Sequence, residues 1–305
     1  MQLIRGLPAV ADGPVALTVG NFDGVHRGHQ AMLARLAEAA EDLSLTPAVL
    51  TFDPHPREFF AKDNAPARLS TLRGKIEAFR HFGVGRTIVA RFDRSLASLD
   101  AETFVDDVLV RRLGARWVLV GEDFRFGRGR AGDLALLRKR ARTFSVEAMA
   151  TVEADGERAS SSAVRDALEK GDLARAARLL GRPFTMAGHV AHGAKLGRTL
   201  GFPTVNLPLR RRPPLAGIFA VRVHGLGAPR RGVASLGVRP TVTARGRPML
   251  EVFVFDFDES VYGRRIVVEF LHKLRDEARY PDLDALTRQI RADADAARAY
   301  FETAH

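Results

Sequence analysis

The chain of 305 residues contains no cysteine. That excludes disulfides, thiolate metal sites and cysteine nucleophiles, and it agrees with a reducing cytosol. No apolar run approaches membrane-spanning length, and the opening Met1-Gln2-Leu3-Ile4-Arg5-Gly6-Leu7-Pro8 lacks the long apolar core of a signal peptide. The reading is a soluble, cytoplasmic protein. Internal repeats and low-complexity tracts are also missing. Apolar material is plentiful: 46% of residues are hydrophobic, which supports two ordinary domains, each with a sizeable core.

Acidic residues are in deficit, 36 against 47 Lys and Arg, for a formal charge of +11. Such a balance suits nucleic acid, an anionic membrane surface or phosphorylated small molecules. The arginine clusters at 138–140 and 210–212 read as solvated charge. No basic segment is interleaved with aromatics as single-strand binders require. The expectation is therefore small phosphorylated partners, with no nucleic acid and no membrane. A nucleic-acid-binding protein stands as the rival from a different class.

Two rhythms divide the chain. Up to about residue 180, strand-like runs at 15–19, 48–52, 87–90 and 117–120 alternate with helix-like stretches near 30–43, 72–82, 101–112 and 133–142. This alternation predicts an α/β domain with a parallel sheet, helices on both faces and ligands beyond the carboxyl ends of the strands. Two short helices are expected at 162–170 and 172–180, before Gly181-Arg182-Pro183 breaks the pattern. Beyond it the runs at 221–223, 233–236, 250–255 and 266–271 are separated by Gly- and Pro-containing turns, which predicts an antiparallel β-barrel. Leu286, Ile290, Ala294, Ala297 and Phe301 then follow at helical spacing, as a helix packed on that barrel.

The segment Thr18-Val19-Gly20-Asn21-Phe22-Asp23-Gly24-Val25-His26-Arg27-Gly28-His29 places two histidines where an apolar strand gives way to a helix. Gly20 and Gly24 permit a tight turn, and Met32, Leu33, Leu36 and Leu43 continue at helical spacing. Free N–H groups and the positive end of the helix dipole favour an anion there, and imidazole donors add to that field. His-x-Gly-His after a strand marks nucleotidylyltransferases, and a close variant opens class I aminoacyl-tRNA synthetases. The Lys-Met-Ser-Lys-Ser-type loop of the synthetases is absent. Instead Arg158-Ala159-Ser160-Ser161-Ser162-Ala163-Val164-Arg165 leads into a helix. In isolation those serines would be N-cap residues; beside the histidine motif they read as a triphosphate cradle, with Arg165 one turn on. Gly127-Arg128-Gly129-Arg130-Ala131-Gly132 matches a dinucleotide fingerprint formally, but it begins six residues past Gly121 and reads as a flexible loop.

These strings resemble the prokaryotic bifunctional riboflavin kinase/FMN adenylyltransferases. The resemblance extends through Thr51-Phe52-Asp53-Pro54-His55-Pro56, Val120-Gly121-Glu122-Asp123-Phe124-Arg125-Phe126-Gly127, the run from Gly193 to Asn206, and Leu250-Glu251-Val252-Phe253. It implies a Rossmann-like FMN adenylyltransferase domain over 1–182 and a β-barrel riboflavin kinase domain over 183–305. The implied substrates are riboflavin, FMN and ATP, with Mg²⁺. In the first half, Gly20, Asn21, Phe22, Gly24, Gly28, Ser160, Ser161 and Ser162 would bind ATP. His26, His29 and Arg165 would be catalytic, holding the phosphates during adenylyl transfer. Asp53, His55, Asp123, Phe124 and Phe126 would form the flavin pocket. In the second half, Gly193, Lys195, Gly197 and Arg198 would wrap ATP phosphates. Thr204 and Asn206, two apart on one side of an extended segment, would hold Mg²⁺. Glu251 would be the base for the ribityl hydroxyl, and Arg275 a flavin contact.

Three positions depart from the family pattern: Ser162 stands where Thr is usual, Asp53 where Glu is common, and Phe219 where Tyr is common. The first two keep their functional group. A monofunctional protein with one inactive half is a further alternative, against which the intact His26, His29, Thr204, Asn206 and Glu251 argue. A homo-oligomer is left open.

Overall fold

A computed structural model describes residues 1–61, 64–192, 201–209, 211–238 and 248–303. The chain divides into two compact units. One comprises Met1–Pro66 with Ser70–Ser160, the other Ala67–Leu69 with Ser161–His305.

The first unit is built on a six-stranded sheet: β1 (Gln2–Arg5), β2 (Val15–Val19), β3 (Thr46–Phe52), β4 (Arg86–Ala90), β5 (Ala115–Gly121) and β6 (Ser145–Met149). The spatial order is β1-β4-β3-β2-β5-β6, and every neighbouring pair is parallel. All residues of β2 are buried, as a strand covered on both faces requires. Its alternation divides the core. Val15, Leu17 and Val19 pack with Ile88, Val118 and Leu109 on one face, while Ala16 packs with Leu33, Leu36, Phe79 and Leu119 on the other.

The second face is covered by α1 (Arg27–Asp42) and by the helix Leu72–His81, which is α3 after the short α2 (Pro56–Ala61). The first face carries α4 (Arg94–Ser98), α5 (Ala101–Thr103) with its π-helical continuation Phe104–Arg112, and α6 (Leu134–Arg140). From β2 the chain runs to β3 on one side, and β5 later takes the other. The carboxyl end of β2 is therefore the switch point where open α/β sheets bind ligands. A small hairpin, β7 (Glu153–Ala154) with β8 (Glu157–Arg158), precedes the serine segment.

The second unit opens with α7 (Ser161–Glu169) and α8 (Leu173–Leu180), closed by Gly181 in the left-handed conformation. Its sheet comprises β9 (Phe184–His189), β10 (Thr204–Pro208), β11 (Gly217–His224), β12 (Arg230–Val238), β13 (Pro248–Val254) and β14 (Arg265–Arg275). The order is β10-β13-β12-β11-β14-β9, antiparallel throughout. The sheet curls until its edges meet, where Ala191 N donates to Asn206 O at 2.8 Å. Phe219 fills the centre edge-on to Phe270, with ring centroids 5.2 Å apart. On the opposite face Ile218, Ala220 and Val233 pack against Ala294, Ala297 and Phe301 of the last helix, α9 (Leu283–Thr303). The helix expected on the barrel is therefore there, two to three residues longer at each end than its apolar spacing marks.

Candidate active sites

In the first unit the histidine motif forms one strained turn between β2 and α1. Phe22 (φ 49°) and Val25 (φ 44°) both lie in the left-handed region, which a β-branched residue adopts only under constraint. The constraint is visible. Asp23 Oδ1 accepts from Ser70 N at 3.0 Å and Ser70 Oγ at 3.1 Å, while Ser70 Oγ accepts from Gly24 N at 3.0 Å. Phe22 is driven into the core, edge-on to Phe79 at 5.2 Å. A Cβ on Gly20 would meet the Phe22 ring at 3.0 Å, so any larger residue there would have to push the buried ring aside.

His26 is the N-cap of α1 and makes no side-chain cap bond, which leaves the N–H groups of the first turn to other acceptors. Its ring stacks on His29 at 3.7 Å with a 25° interplanar angle, and Phe22 lies 4.9 Å from His29 on another side. Burial, then the His26 and Lys75 charges, push the His29 pKa well below the ordinary histidine value. At neutral pH this imidazole is uncharged, with one donor and one acceptor nitrogen. Among the described residues neither His29 Nδ1 nor Asn21 Oδ1, both buried, has a hydrogen-bond partner. Burying such atoms unbonded costs about 1–3 kcal/mol each, a cost that a polar ligand would relieve.

Gly20, Asn21, Phe22, Gly24, His26, Gly28 and His29 are thus one constellation. The residue before Ser160 packs on this motif: a Cβ on Gly28 would meet the His26 ring at 3.2 Å and Ala159 O at 3.3 Å. Ser161, Ser162 and Arg165 belong to α7 of the second unit, where Arg165 donates to Ala67 O at 2.6 Å and Ser161 O at 3.2 Å.

The flavin candidates sit at the same carboxyl edge. Asp53 follows β3, its N–H bonded to Ala90 O at 3.0 Å, and a cis Asp53–Pro54 bond leads to His55, whose Nδ1 accepts from Arg57 N at 3.0 Å. Beyond β5, Phe124 and Phe126 stack at 5.3 Å, while Asp123 is ion-paired to Arg158. The glycine–arginine run is not a loose loop. Phe126 and Gly132 exchange backbone hydrogen bonds of 3.1 and 2.9 Å across it, and Gly127 packs directly on Ala101.

In the second unit, register assembles the kinase candidates. Asn206 on β10 is directly opposite Glu251 on β13, and Ser235 on β12 lies opposite Glu251 from the other side. Opposed residues share a face, as do Thr204 and Asn206 two apart on one strand. The Asn206 amide donates to Thr204 O at 3.1 Å, which fixes its orientation. Gly193, Lys195, Gly197 and Arg198 lie outside the described residues. Arg275 makes a two-pronged pair with Asp293 of α9, at 2.7 and 2.5 Å, and lies 5.9 Å from the Tyr280 ring. Its guanidinium is therefore held by the protein itself.

Two family models match the chain, FAD synthetase over residues 9–163 and riboflavin kinase over residues 180–301. Curated proteins called bifunctional riboflavin kinase/FMN adenylyltransferase align along nearly all of it. That of Pseudomonas fluorescens is 50% identical over 98% of this chain and 97% of its own. That of Escherichia coli K12 is 47% identical over 99% and 98%. The chain belongs to the bifunctional riboflavin kinase/FMN adenylyltransferase family. A crystal structure titled as a macrolide-efflux protein from Streptococcus pneumoniae has the same fold as this family member, with a TM-score of 0.82 and 28% identity over 98% of this chain and 99% of its own. No described helix here is long and apolar enough to cross a membrane.

Membership turns attention to two features that the motifs alone did not reveal. One is an aromatic group at the carboxyl edge of the first sheet. Phe92 lies edge-on to Phe52, Phe59 and Phe60 at 5.6–5.8 Å, with Phe60 67% exposed. The sequence signal was the Phe59-Phe60 pair just after the Asp53–Pro56 string. The other is Lys75 on α3, 5% exposed, whose Nζ donates to Asn21 O at 3.0 Å. A lysine within an ordinary amphipathic helix gives no such signal.

Proposed function

We propose that residues 1–182 carry the FMN adenylyltransferase site and residues 183–305 the riboflavin kinase site of a bifunctional flavin-cofactor enzyme, which is cytoplasmic. Riboflavin is phosphorylated by ATP to FMN, and FMN then attacks the α-phosphorus of a second ATP. FAD forms and pyrophosphate leaves. The observation that carries the first assignment is the stacked His26–His29 pair at a helix N-terminus on the switch point, with His29 Nδ1 and Asn21 Oδ1 buried and unsatisfied.

In-line transfer of this kind needs no protein nucleophile; it needs positioning and stabilisation of charge on the moving group. The N–H groups opening α1, with Gly20, Asn21, Phe22, Gly24 and Gly28, receive the nucleotide. The His26 and His29 rings donate to phosphate oxygens, and Ser160 adds a hydroxyl; Ser161, Ser162 and Arg165 keep the phosphate-binding role that the family resemblance implies. Asp53, His55, Asp123, Phe124 and Phe126 receive the flavin. The surplus of positive charge serves phosphorylated substrates.

In the kinase site Glu251 accepts the proton of the ribityl 5′-hydroxyl as its oxygen attacks the γ-phosphorus and ADP leaves. Gly193, Lys195, Gly197 and Arg198 hold the ATP phosphates, and Arg275 borders the flavin. Thr204 and Asn206 offer neutral oxygen donors beside a carboxylate, a set that suits Mg²⁺ arriving with a nucleotide rather than an all-protein cage. When bound, the ion offsets phosphate charge. Incubation with riboflavin, ATP and Mg²⁺, followed by chromatography, tests the reading. FMN should rise before FAD; unchanged riboflavin, together with unconverted FMN when that is supplied, would overturn it.

A further inference from the structure

A single short segment grips the histidine turn from two directions. At its start Ser70 donates twice to Asp23 and accepts from Gly24 N, all at 3.0–3.1 Å. Thr71 then caps α3, accepting from Gly74 N at 3.0 Å. One turn later the Lys75 ammonium donates to Asn21 O at 3.0 Å and to Thr51 Oγ1 at 3.4 Å, bridging the turn to β3. The two grips fall on either side of Phe22, the first residue of the turn with positive φ. Lysine is among the residues least often buried, and a lysine tie is a costly way merely to join a loop to a strand. The clamp holds the backbone of Asn21, whose Oδ1 is unsatisfied, in the turn that leads into α1, which carries His29 with its unsatisfied Nδ1.

We propose that Lys75 and Ser70 are positioning residues for adenylyl transfer. They hold the Asn21–His26 turn in the conformation that presents Asn21 Oδ1 and His29 to the nucleotide. This rests on the assignment of adenylyl transfer to that turn. Neither residue touches the reacting atoms; each acts through the backbone that it fixes.

The test measures FAD formation from FMN, ATP and Mg²⁺ by full-length Lys75→Met, His29→Ala and the double variant, with riboflavin phosphorylation in the same preparations reporting an intact second activity. Lys75→Met should lower kcat on the order of 10²-fold, the scale of an ångström-size misplacement, with the KM for ATP nearly unchanged and riboflavin phosphorylation retained. Added to His29→Ala, it should cost far less, because both variants disable one unit. Full additivity, or a rise in KM alone, would overturn the proposal. So would undiminished FAD formation by Lys75→Met while His29→Ala is impaired. If His29→Ala itself formed FAD at the wild-type rate, the underlying site assignment would fall, and the proposal with it. Should Lys75→Met not fold, Ser70→Ala, which removes only a hydroxyl relay, must show the same non-additivity with His29→Ala; additivity there refutes the clamp.

Discussion

Replacing His29 with alanine separates chemistry from stability. The imidazole stacks on His26 at 3.7 Å and abuts Phe22 at 4.9 Å, so its removal opens a cavity beside the turn. Deleting a buried side chain of this size costs about 2–5 kcal/mol. The same change removes a buried nitrogen without a partner, which relieves about 1–3 kcal/mol. The two effects partly offset, so the loss of folding stability should be about 1.5 kcal/mol and no more than about 4 kcal/mol. Catalysis has no such compensation. Loss of one donor aimed at developing charge should lower FAD formation by about 10²–10³ in kcat, equivalent to about 2.7–4 kcal/mol. The assay follows FMN conversion to FAD by chromatography beside riboflavin phosphorylation by the same sample. Undiminished FAD formation would refute the role given to His29. Parallel loss of both activities would refute the stability argument.

Glu251→Gln should do the reverse, cutting riboflavin phosphorylation by about 10²–10⁴ while leaving FAD formation from supplied FMN intact. Asp293, 7% exposed, anchors Arg275 through two hydrogen bonds; Asp293→Ala removes both while Arg275 keeps its bond to Asp276 O at 2.8 Å, so it should cost about 1.5–3 kcal/mol by urea unfolding, whereas a loss under about 1 kcal/mol would mark the pair as no more than a surface one. His29 gives a third expectation. Its folded pKa lies well below 6.5, so below that pH the unfolded chain takes up a proton that the folded unit refuses. Stability should therefore fall as pH drops from about 6.5 towards the folded value, by up to about 1.4 kcal/mol per pH unit, with no contribution above it. Unfolding titrations of wild type and His29→Ala over that range should differ in slope, and equal slopes would contradict the buried neutral imidazole.

The parallel sheet, the antiparallel barrel and the last helix were legible because their apolar periods are set by burial. The all-buried Val15–Val19 and the alternating Leu250, Val252 and Val254 state their surroundings directly. Strands β1, β6 and β9 were not legible. β1 is an exposed edge, and β6 is only partly covered, so neither needs an apolar signature. Candidate site residues showed the same division. Motif spacing singled out His26 and His29 as candidates, and strand register then placed Asn206 opposite Glu251, a pairing of residues 45 positions apart that no local pattern encodes.

What remained hidden is the support beneath the motif. Gly20 and Gly24 announce a turn, yet the strain falls on Phe22 and Val25, where sequence alone would place an ordinary extended chain. A β-branched residue at φ 44° is held there only if something over-determines it, and Asp23, Ser70 and Lys75 provide that from a distant part of the sequence. Local rules fail at this turn because contacts from a distant part of the sequence override them. The strained backbone, the buried lysine and the unsatisfied Asn21 and His29 atoms therefore have one common explanation. Each would be a defect in a structural loop, and under the function proposed above they belong together as a turn held ready for phosphate.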